Sequence, residues 1–414
     1  MKVLWLSNCV LSDVECNGSG SWLYAMKEII GGSIELYNMT LSNVNKVHFK
    51  ESHNLKEYIL PVWPLIDGLP SSENIHTICE LVDKIAPDII QVWGTESYWA
   101  KLCSTYFSDR RILLEMQGLL SSCVDVFWAG LSPEEIKKCR GIKEWIYPTS
   151  DLSNQYKSFY CRAKEEKELF SRFKQISTQS SWVRRQLAFL VQRDCKIYET
   201  FIPLREHFYH AKKWVKKEEH EDVRIFFSTS YTIPFKGLHV ILKAIKEVKR
   251  KYPKVKLLLA GVSKKQERYR ESGYNKYLLS IIESEGLHDN VFYLGKMNAE
   301  QIIEKLQDAD VYVNSSFVES YSVATAEALF LGVPTVLSYA GALPEFGEDV
   351  ALYYSSMDYV DCAYKIVELI ENTKLREELS SNSIVKLEER LDKDSIRKCQ
   401  LEIYNQVFNL NEKG

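Results

Sequence analysis

The 414-residue sequence has no run of about 18 consecutive apolar residues, the length a membrane-crossing helix needs, so it predicts no transmembrane span. Its first residues, MKVLWLSNCVL, run straight into a strand-like apolar stretch without a basic segment ahead of a long apolar core, so no signal peptide is expected. No strong charge imbalance is present either: 53 basic against 56 acidic side chains leave a formal net charge of -3. That lowers nucleic-acid binding as a function class, because such proteins carry a basic face. The ten cysteines form no Cys-x-x-Cys pair and no paired Cys/His spacing, which argues against structural zinc and a disulfide framework and fits reduced thiols in a cytosol. Internal repeats and low-complexity segments are also lacking. The expected location is cytoplasmic. Because 12% of the residues are aromatic, peripheral association with the inner face of a membrane is left open.

What the sequence does contain is a rhythm. KVLWLSN, PDIIQVWG (87–94), RRILLEMQG (110–118) and KIYETFIP (196–203) are short apolar runs separated by helical patterns. The rhythm restarts with VRIFFSTS, VKLLLAG, NVFYLG, VYVNSS and PTVLSY. Near-continuous apolar strands alternating with helices imply parallel sheets covered on both faces. At 45% hydrophobic, the chain exceeds what one core normally holds, so two domains are expected. The predicted fold class is α/β, with two facing Rossmann-like, doubly wound domains and a ligand cleft at the carboxyl ends of their strands. The expected bounds are 1–205 for the first domain, 206–390 for the second and 391–414 for a C-terminal helix. The low-apolar stretch HAKKWVKKEEHED (210–222) reads as a solvated connection. The segment 127–175, aromatic and in places basic, reads as a packed helical excursion, with docking of a lipid-linked acceptor at a membrane surface as the alternative.

The stretch SFVESYSVATAEALFLGVPTVLS (316–338) carries two glutamates, Glu319 and Glu327, eight positions apart. A helix starting near Ser322 would aim unpaired amides and partial positive charge at a ligand, and Ser320 and Ser322 could cap it or bond phosphate oxygens. Glu319 lies just outside that helix. Glu327 lies inside it, about 7–8 Å along the axis at 1.5 Å per residue. The offset suits a nucleotide sugar, with the diphosphate at the helix start and carboxylates accepting from sugar and ribose hydroxyls.

Glu319, seven residues, Glu327 and then ALFLGVPTV resembles the signature of retaining glycosyltransferases of family 4, which have the GT-B fold. GALPEF (341–346), ADVYVNSS and YTIPFKGLHVILKAI (231–245) resemble the neighbouring segments of that family, and the resemblance is specific over about 223–350. It implies that Glu319 holds the donor sugar, Glu327 the ribose and Lys236 the diphosphate. It also implies that Gly295 and Met297 border the base and that Tyr321 belongs to the donor loop. A cation at Lys236 would stabilise charge building on the leaving phosphate. Two positions depart from the family. Ser230 stands where an Arg is usual, and Gln117 stands where the strand usually ends in His-Gly; Gln cannot accept a proton, so it is left a hydrogen bond to the sugar.

In the first domain, Gly18 and Gly20 of GSGS (18–21) are read as a close-approach loop near the donor's phosphates and the acceptor; the dinucleotide fingerprint is incomplete, with Leu at 23. Trp93, Glu96 and Trp99 end a strand, where aromatics fit either stacking on a sugar acceptor or core packing. DAD (308–310) matches a metal-binding pattern, but here it joins a helix to a strand.

The expected function is retaining transfer of a sugar from a nucleotide-diphosphate sugar to a glycan or lipid-linked acceptor in surface polysaccharide assembly, without a metal or other cofactor. The alternatives are a nucleotide-sugar 2-epimerase and a catalytically degenerate nucleotide-sugar-binding subunit. Transfer from a nucleotide sugar is expected to persist in EDTA. Loss of most turnover in chelator, restored by manganese or magnesium, would reject the metal-free reading.

Overall fold

The computed structural model describes residues 1–12, 20–146, 149, 151–216, 222–262 and 273–409. The chain divides into two compact units: Met1–Leu119 with Lys164–Arg205 and Leu391–Gly414, and Leu120–Ala163 with Glu206–Arg390.

The first unit is built on eight strands: β1 (Lys2–Ser7), β2 (Glu35–Ser42), β3 (His48–Ser52), β4 (Leu55–Pro61), β5 (Ile89–Trp93), β6 (Ile112–Glu115), β7 (Gln175–Thr178) and β8 (Lys196–Glu199). Their order is β3-β4-β2-β1-β5-β6-β7-β8, all parallel except β3 against β4. Leu4, Leu6, Ile90, Val92, Leu114 and Ile176 form the buried core of the sheet. Strands β2 to β4 carry little of the expected apolar-run signal, because three fully buried polar residues interrupt them: Asn38, Thr40 and Glu57. The Glu57 carboxylate accepts from the backbone N–H groups of Leu11 (2.8 Å) and Ser12 (3.0 Å) and from the Asn38 amide (2.7 Å). A buried charge held by three donors is satisfied, and it fixes the chain leaving β1. The helix Lys393–Asn409 packs on this unit: Trp5 donates its indole N–H to the Tyr404 hydroxyl (3.0 Å), which in turn donates to Gln91.

The second unit holds β9 (Arg224–Ser228), β10 (Lys256–Ala260), β11 (Val291–Gly295), β12 (Val311–Asn314), β13 (Thr335–Ser338) and β14 (Leu352–Tyr354). The sheet is parallel throughout, in the order β11-β10-β9-β12-β13-β14. This is the doubly wound pattern whose order reverses between its first and fourth strands, here β9 and β12. The DAD segment is structural: Asp308 pairs with Arg224 and Asp310 accepts from the Arg224 backbone N–H at 2.8 Å.

One boundary needs correction. Residues 120–163, assigned from sequence to the first domain, group with the second unit. The reason is burial: Leu131, Cys139 and Leu152 sit in the core of the second unit with Ile241 and Tyr277, and each large apolar side chain buried contributes about 1.5–3 kcal/mol. Polar ties add direction. Ser132 and Glu135 form a reciprocal cap, and Glu135 also accepts from Lys243 (2.8 Å) and from the Tyr277 hydroxyl. Lys276 donates to the Arg140 carbonyl (3.0 Å), and His239 meets the Ala129 carbonyl (3.1 Å).

Burial alone would raise the Glu135 carboxyl, but hydrogen bonds from Lys243, Tyr277 and the Ser132 backbone outweigh it and hold the group at about 2. A depressed carboxyl stabilises the fold above the ordinary carboxylate range, and that contribution is lost as pH falls towards 2. Glu135→Gln is therefore expected to lower the melting temperature at pH 7, with the gap to the parent narrowing as melts are recorded at successively lower pH below 5. A gap that stays constant down to pH 3 would reject this.

Candidate donor site

Doubly wound sheets bind ligands where the strand order reverses, because adjacent loops there diverge to opposite faces and leave a crevice. In the second unit that point lies between β9 and β12, and the motif residues converge on it. After β9 the chain reaches the short turn Pro234–Lys236, then Gly237, then the helix Leu238–Lys251. Gly237 has φ 71° and a Cβ added there would lie 1.8 Å from the Ser315 carbonyl oxygen, so only glycine fits. The contact is stitched on both sides: the Phe317 N–H donates to the Phe235 carbonyl (2.7 Å), and the Ser315 hydroxyl donates to the Gly237 carbonyl (2.9 Å). Docked this way, Lys236 places its ammonium 2.7 Å from the Glu319 carboxylate, with the two side chains 19% and 13% exposed. The Ser316 hydroxyl donates to the same Glu319 oxygen at 2.7 Å. Burial would depress the Lys236 ammonium, but the Glu319 carboxylate more than offsets it and the net shift is upward.

Glu319 is held from behind by Gly341, at φ 57°, whose missing Cβ would fall 2.3 Å from the Glu319 carbonyl oxygen. That oxygen accepts from the Ala342 N–H at 2.8 Å. A residue that sequence reasoning missed organises the rest. Buried Asn314, last in β12, donates from its side-chain amide to the hydroxyls of Ser322 (3.1 Å) and Thr325 (3.0 Å) and accepts from the Ser316 N–H (2.9 Å). Ser322 caps the helix Val323–Leu331 and does so at φ 74°, a left-handed conformation costly for a serine. The signal for Asn314 was present: a polar residue at the end of a strand that is otherwise apolar and buried.

Glu327 is 6% exposed on that helix. Ser320 is half-buried beside it in the loop. Tyr321 is placed otherwise than as a ligand-facing side chain: it is buried, its ring against Phe346 (5.9 Å) and under the Arg390 guanidinium (5.5 Å). The carboxyl ends of β9, β10 and β11 meet around two left-handed glycines. Gly261 donates to the Gly295 carbonyl (2.7 Å), and a Cβ on Gly261 would clash with the Thr229 carbonyl at 1.8 Å. Ser230, exposed, and Met297, half-buried, flank this cluster. Among the described residues, no group of three or more His, Cys, Asp or Glu side chains is arranged to hold a metal ion.

The remaining expected site residues lie in the first unit. Gln117 and Glu96 come together at Gly94, where an added Cβ would fall 3.3 Å from the Gln117 amide carbon and 1.9 Å from a Glu96 carboxylate oxygen. Gly20, at φ 101°, packs against Cys9, and Gly18 lies outside the described residues. The aromatic pair is corrected to core: Trp93 is 1% exposed, edge-on to Trp5 and Trp22, and fully buried Trp99 donates to the Ser7 carbonyl at 3.0 Å. Side chains enclosed in this way cannot stack on an acceptor; Trp93 ends β5, whereas Trp99, expected at the strand end, opens the helix Trp99–Tyr106.

Residues 211–386, within the second unit, match the family model described as glycosyl transferases group 1. Over the whole chain, sucrose-phosphate synthase from Thermosynechococcus elongatus superimposes with a TM-score of 0.74 at 16% identity, covering 99% of each chain. Anabaena HepE, solved in complex with UDP-glucose, superimposes with a TM-score of 0.68 at 15% identity, covering 99% of this chain and 100% of that one. The fold is therefore GT-B. Among curated relatives, a glycosyltransferase of Bacillus subtilis, YqgM, whose function is uncharacterised, is 27% identical over 197 residues, 45% of this chain and 50% of that protein. The GPI3 subunit of the phosphatidylinositol N-acetylglucosaminyltransferase of Saccharomyces cerevisiae is 22% identical over 196 residues, 46% of this chain and 41% of that protein. The chain thus spans half or less of the length of these two relatives.

Asn314→Ala would remove two side-chain donors and one acceptor in a buried setting. At about 1 kcal/mol per hydrogen bond, with Ser322 left in its strained cap, a loss of about 2–3 kcal/mol is expected by denaturant unfolding. Hydrogen exchange should speed up in the first turn of the helix Val323–Leu331. Unchanged exchange there would show that the cap does not depend on Asn314.

Proposed function

We propose that the protein is a retaining glycosyltransferase that moves a sugar from a nucleotide-diphosphate sugar to a hydroxyl of a glycan or lipid-linked acceptor in surface polysaccharide assembly. The observation that carries this is the meeting of Lys236 and Glu319 at the β9/β12 switch point, beside the start of the helix Val323–Leu331. In this reading the diphosphate lies against Lys236 and the helix start, Glu319 accepts from sugar hydroxyls, and Glu327 accepts from the ribose. The lysine cation and the helix dipole act on charge that grows as the glycosidic bond breaks, so they stabilise the transition state more than the ground state. A domain of the group 1 type over 211–386 supports the donor half of the reading. Similarity to the yeast phosphatidylinositol N-acetylglucosaminyltransferase GPI3 protein supports a lipid-linked acceptor, and the UDP-glucose bound to HepE makes UDP the first nucleotide to test. Among the described residues no helix is long and apolar enough to cross a membrane.

In this reading retention proceeds without a covalent intermediate, because Glu319 is the only motif carboxylate assigned to the sugar. A double displacement needs a carboxylate beneath the anomeric carbon, and Glu319 is assigned to hydroxyls. The leaving phosphate then takes the proton of the acceptor hydroxyl, a role that needs no base at Gln117. A binding protein without catalysis is the second reading, favoured by Ser230 and Gln117, each lacking the charge or basicity usual at its place. Release of nucleoside diphosphate from a labelled donor in the presence of acceptor excludes it.

Two outcomes are expected. NMR of the product should show the donor's anomeric configuration; an inverted linkage would overturn both mechanism and family assignment. Calorimetric titration with UDP, or with GDP or ADP if either binds instead, should show Glu327→Gln weakening affinity by about tenfold, the scale of one charge-assisted hydrogen bond (~1.4 kcal/mol). Unchanged affinity would remove Glu327 from the ribose.

A further inference from the structure

From the sequence alone, replacing Glu319 would leave the affinity for free nucleoside diphosphate nearly unchanged, because its partner is the sugar. The geometry changes that expectation. The ammonium assigned to the diphosphate is already engaged: Glu319 holds it at 2.7 Å, in surroundings where the two side chains are only 19% and 13% exposed. We propose that Glu319 competes with the diphosphate for Lys236, so that binding proceeds by exchange of Lys236 from carboxylate to phosphate. This rests on the donor reading above and goes beyond it, because it makes Glu319 a selector between the intact donor and the sugar-free product.

The carboxylate changes its surroundings during the exchange. When phosphate captures Lys236, Glu319 retains the Ser316 hydroxyl, at 2.7 Å, and loses its cation. Its backbone is clamped by Gly341 and by the Ala342 N–H, and the Ser316 hydroxyl keeps its carboxylate oriented into the same loop. A carboxylate this far removed from water and stripped of its counter-ion is costly. A donor that brings sugar hydroxyls to Glu319 restores hydrogen bonds to it, whereas a nucleoside diphosphate brings none. The ion pair therefore penalises the product and spares the substrate. Glu319 also sustains the charge on Lys236 against burial, so the lysine is held protonated until phosphate arrives.

The test is a double-mutant cycle on the binding of UDP, or of GDP or ADP where that is the nucleotide bound, with parent, Glu319→Gln, Lys236→Ala and the double variant. Matched circular dichroism and melting curves confirm that each is folded. Glu319→Gln keeps an acceptor for Ser316 and releases Lys236, so nucleoside diphosphate should bind about tenfold more tightly, equal to about 1.4 kcal/mol. Lys236→Ala should weaken binding. The gain from Glu319→Gln should disappear in the Lys236→Ala background. A gain that persists there would mean that Glu319 merely repels phosphate, and the exchange would be overturned. Weakened binding in Lys236→Ala with no gain in Glu319→Gln would also overturn the exchange while leaving Lys236 as the phosphate ligand. Unchanged affinity in Lys236→Ala would instead remove the donor reading on which the exchange rests.

Discussion

The candidate donor site depends on one close approach: the backbone of Gly237 lies against the carbonyl of Ser315 with no room for a methyl group. The two loops leave neighbouring strands of the sheet, but strand pairing alone would bring their bases together and let their tips splay. The glycine contact, the Phe317-to-Phe235 hydrogen bond and the Ser315 hydroxyl close the gap. Only then can a lysine from one loop reach a glutamate from the other. The rings of Phe127 and Phe159 press on Phe235 at 6.3 and 5.9 Å, so the helical excursion 120–163 supports the same turn from its other side. Strain is visible at Ser322, held left-handed, and it is offset by Asn314, whose amide satisfies the cap.

The electrostatics follow from that geometry. A lysine this shielded would shed its proton more readily on its own, and a carboxylate this shielded would be unfavourable on its own; placed together each justifies the other. The same reasoning accounts for a carboxylate on an otherwise apolar helix. The helix Val323–Leu331 is buried from Thr325 to Leu331, so it is fixed by packing on all sides, and Glu327 inherits that rigidity. Preorganisation of this kind is what a binding group needs, because ordering need not be supplied at the moment of binding.

Much of this was legible in the sequence where residue type and element period agree. The apolar strands of the second half, the helix start at Ser322 and the lysine–glycine turn all announce themselves through local chemistry. The edge of the first sheet did not. Asn38, Thr40 and Glu57 are buried polar residues, and to a reader of hydrophobic periodicity they look like surface; the bond from Asn38 to Glu57 that makes such burial tolerable is invisible in one dimension. Trp93 and Trp99 stayed open for another reason: aromatics following a strand fit both a stacking platform and a core, and only three-dimensional enclosure separates the two. The segment 127–175 was recognisable as packed helix, but the partner of its part up to 163 was not, because the residues that claim it, Lys243 and Tyr277, lie 108 and 142 positions beyond Glu135.

The path of the chain through the first unit bears on how the protein is made. Its sheet is assembled from residues in the first half of the sequence, yet the buried indole of Trp5 and the amide of Gln91 find their common partner in Tyr404, 399 and 313 positions later. During synthesis from the amino end, those groups emerge long before the helix that satisfies them. The second unit, whose residues run only to Arg390, is translated in full first. The half that comes first in the sequence therefore cannot complete its core until the helix Lys393–Asn409 has been made.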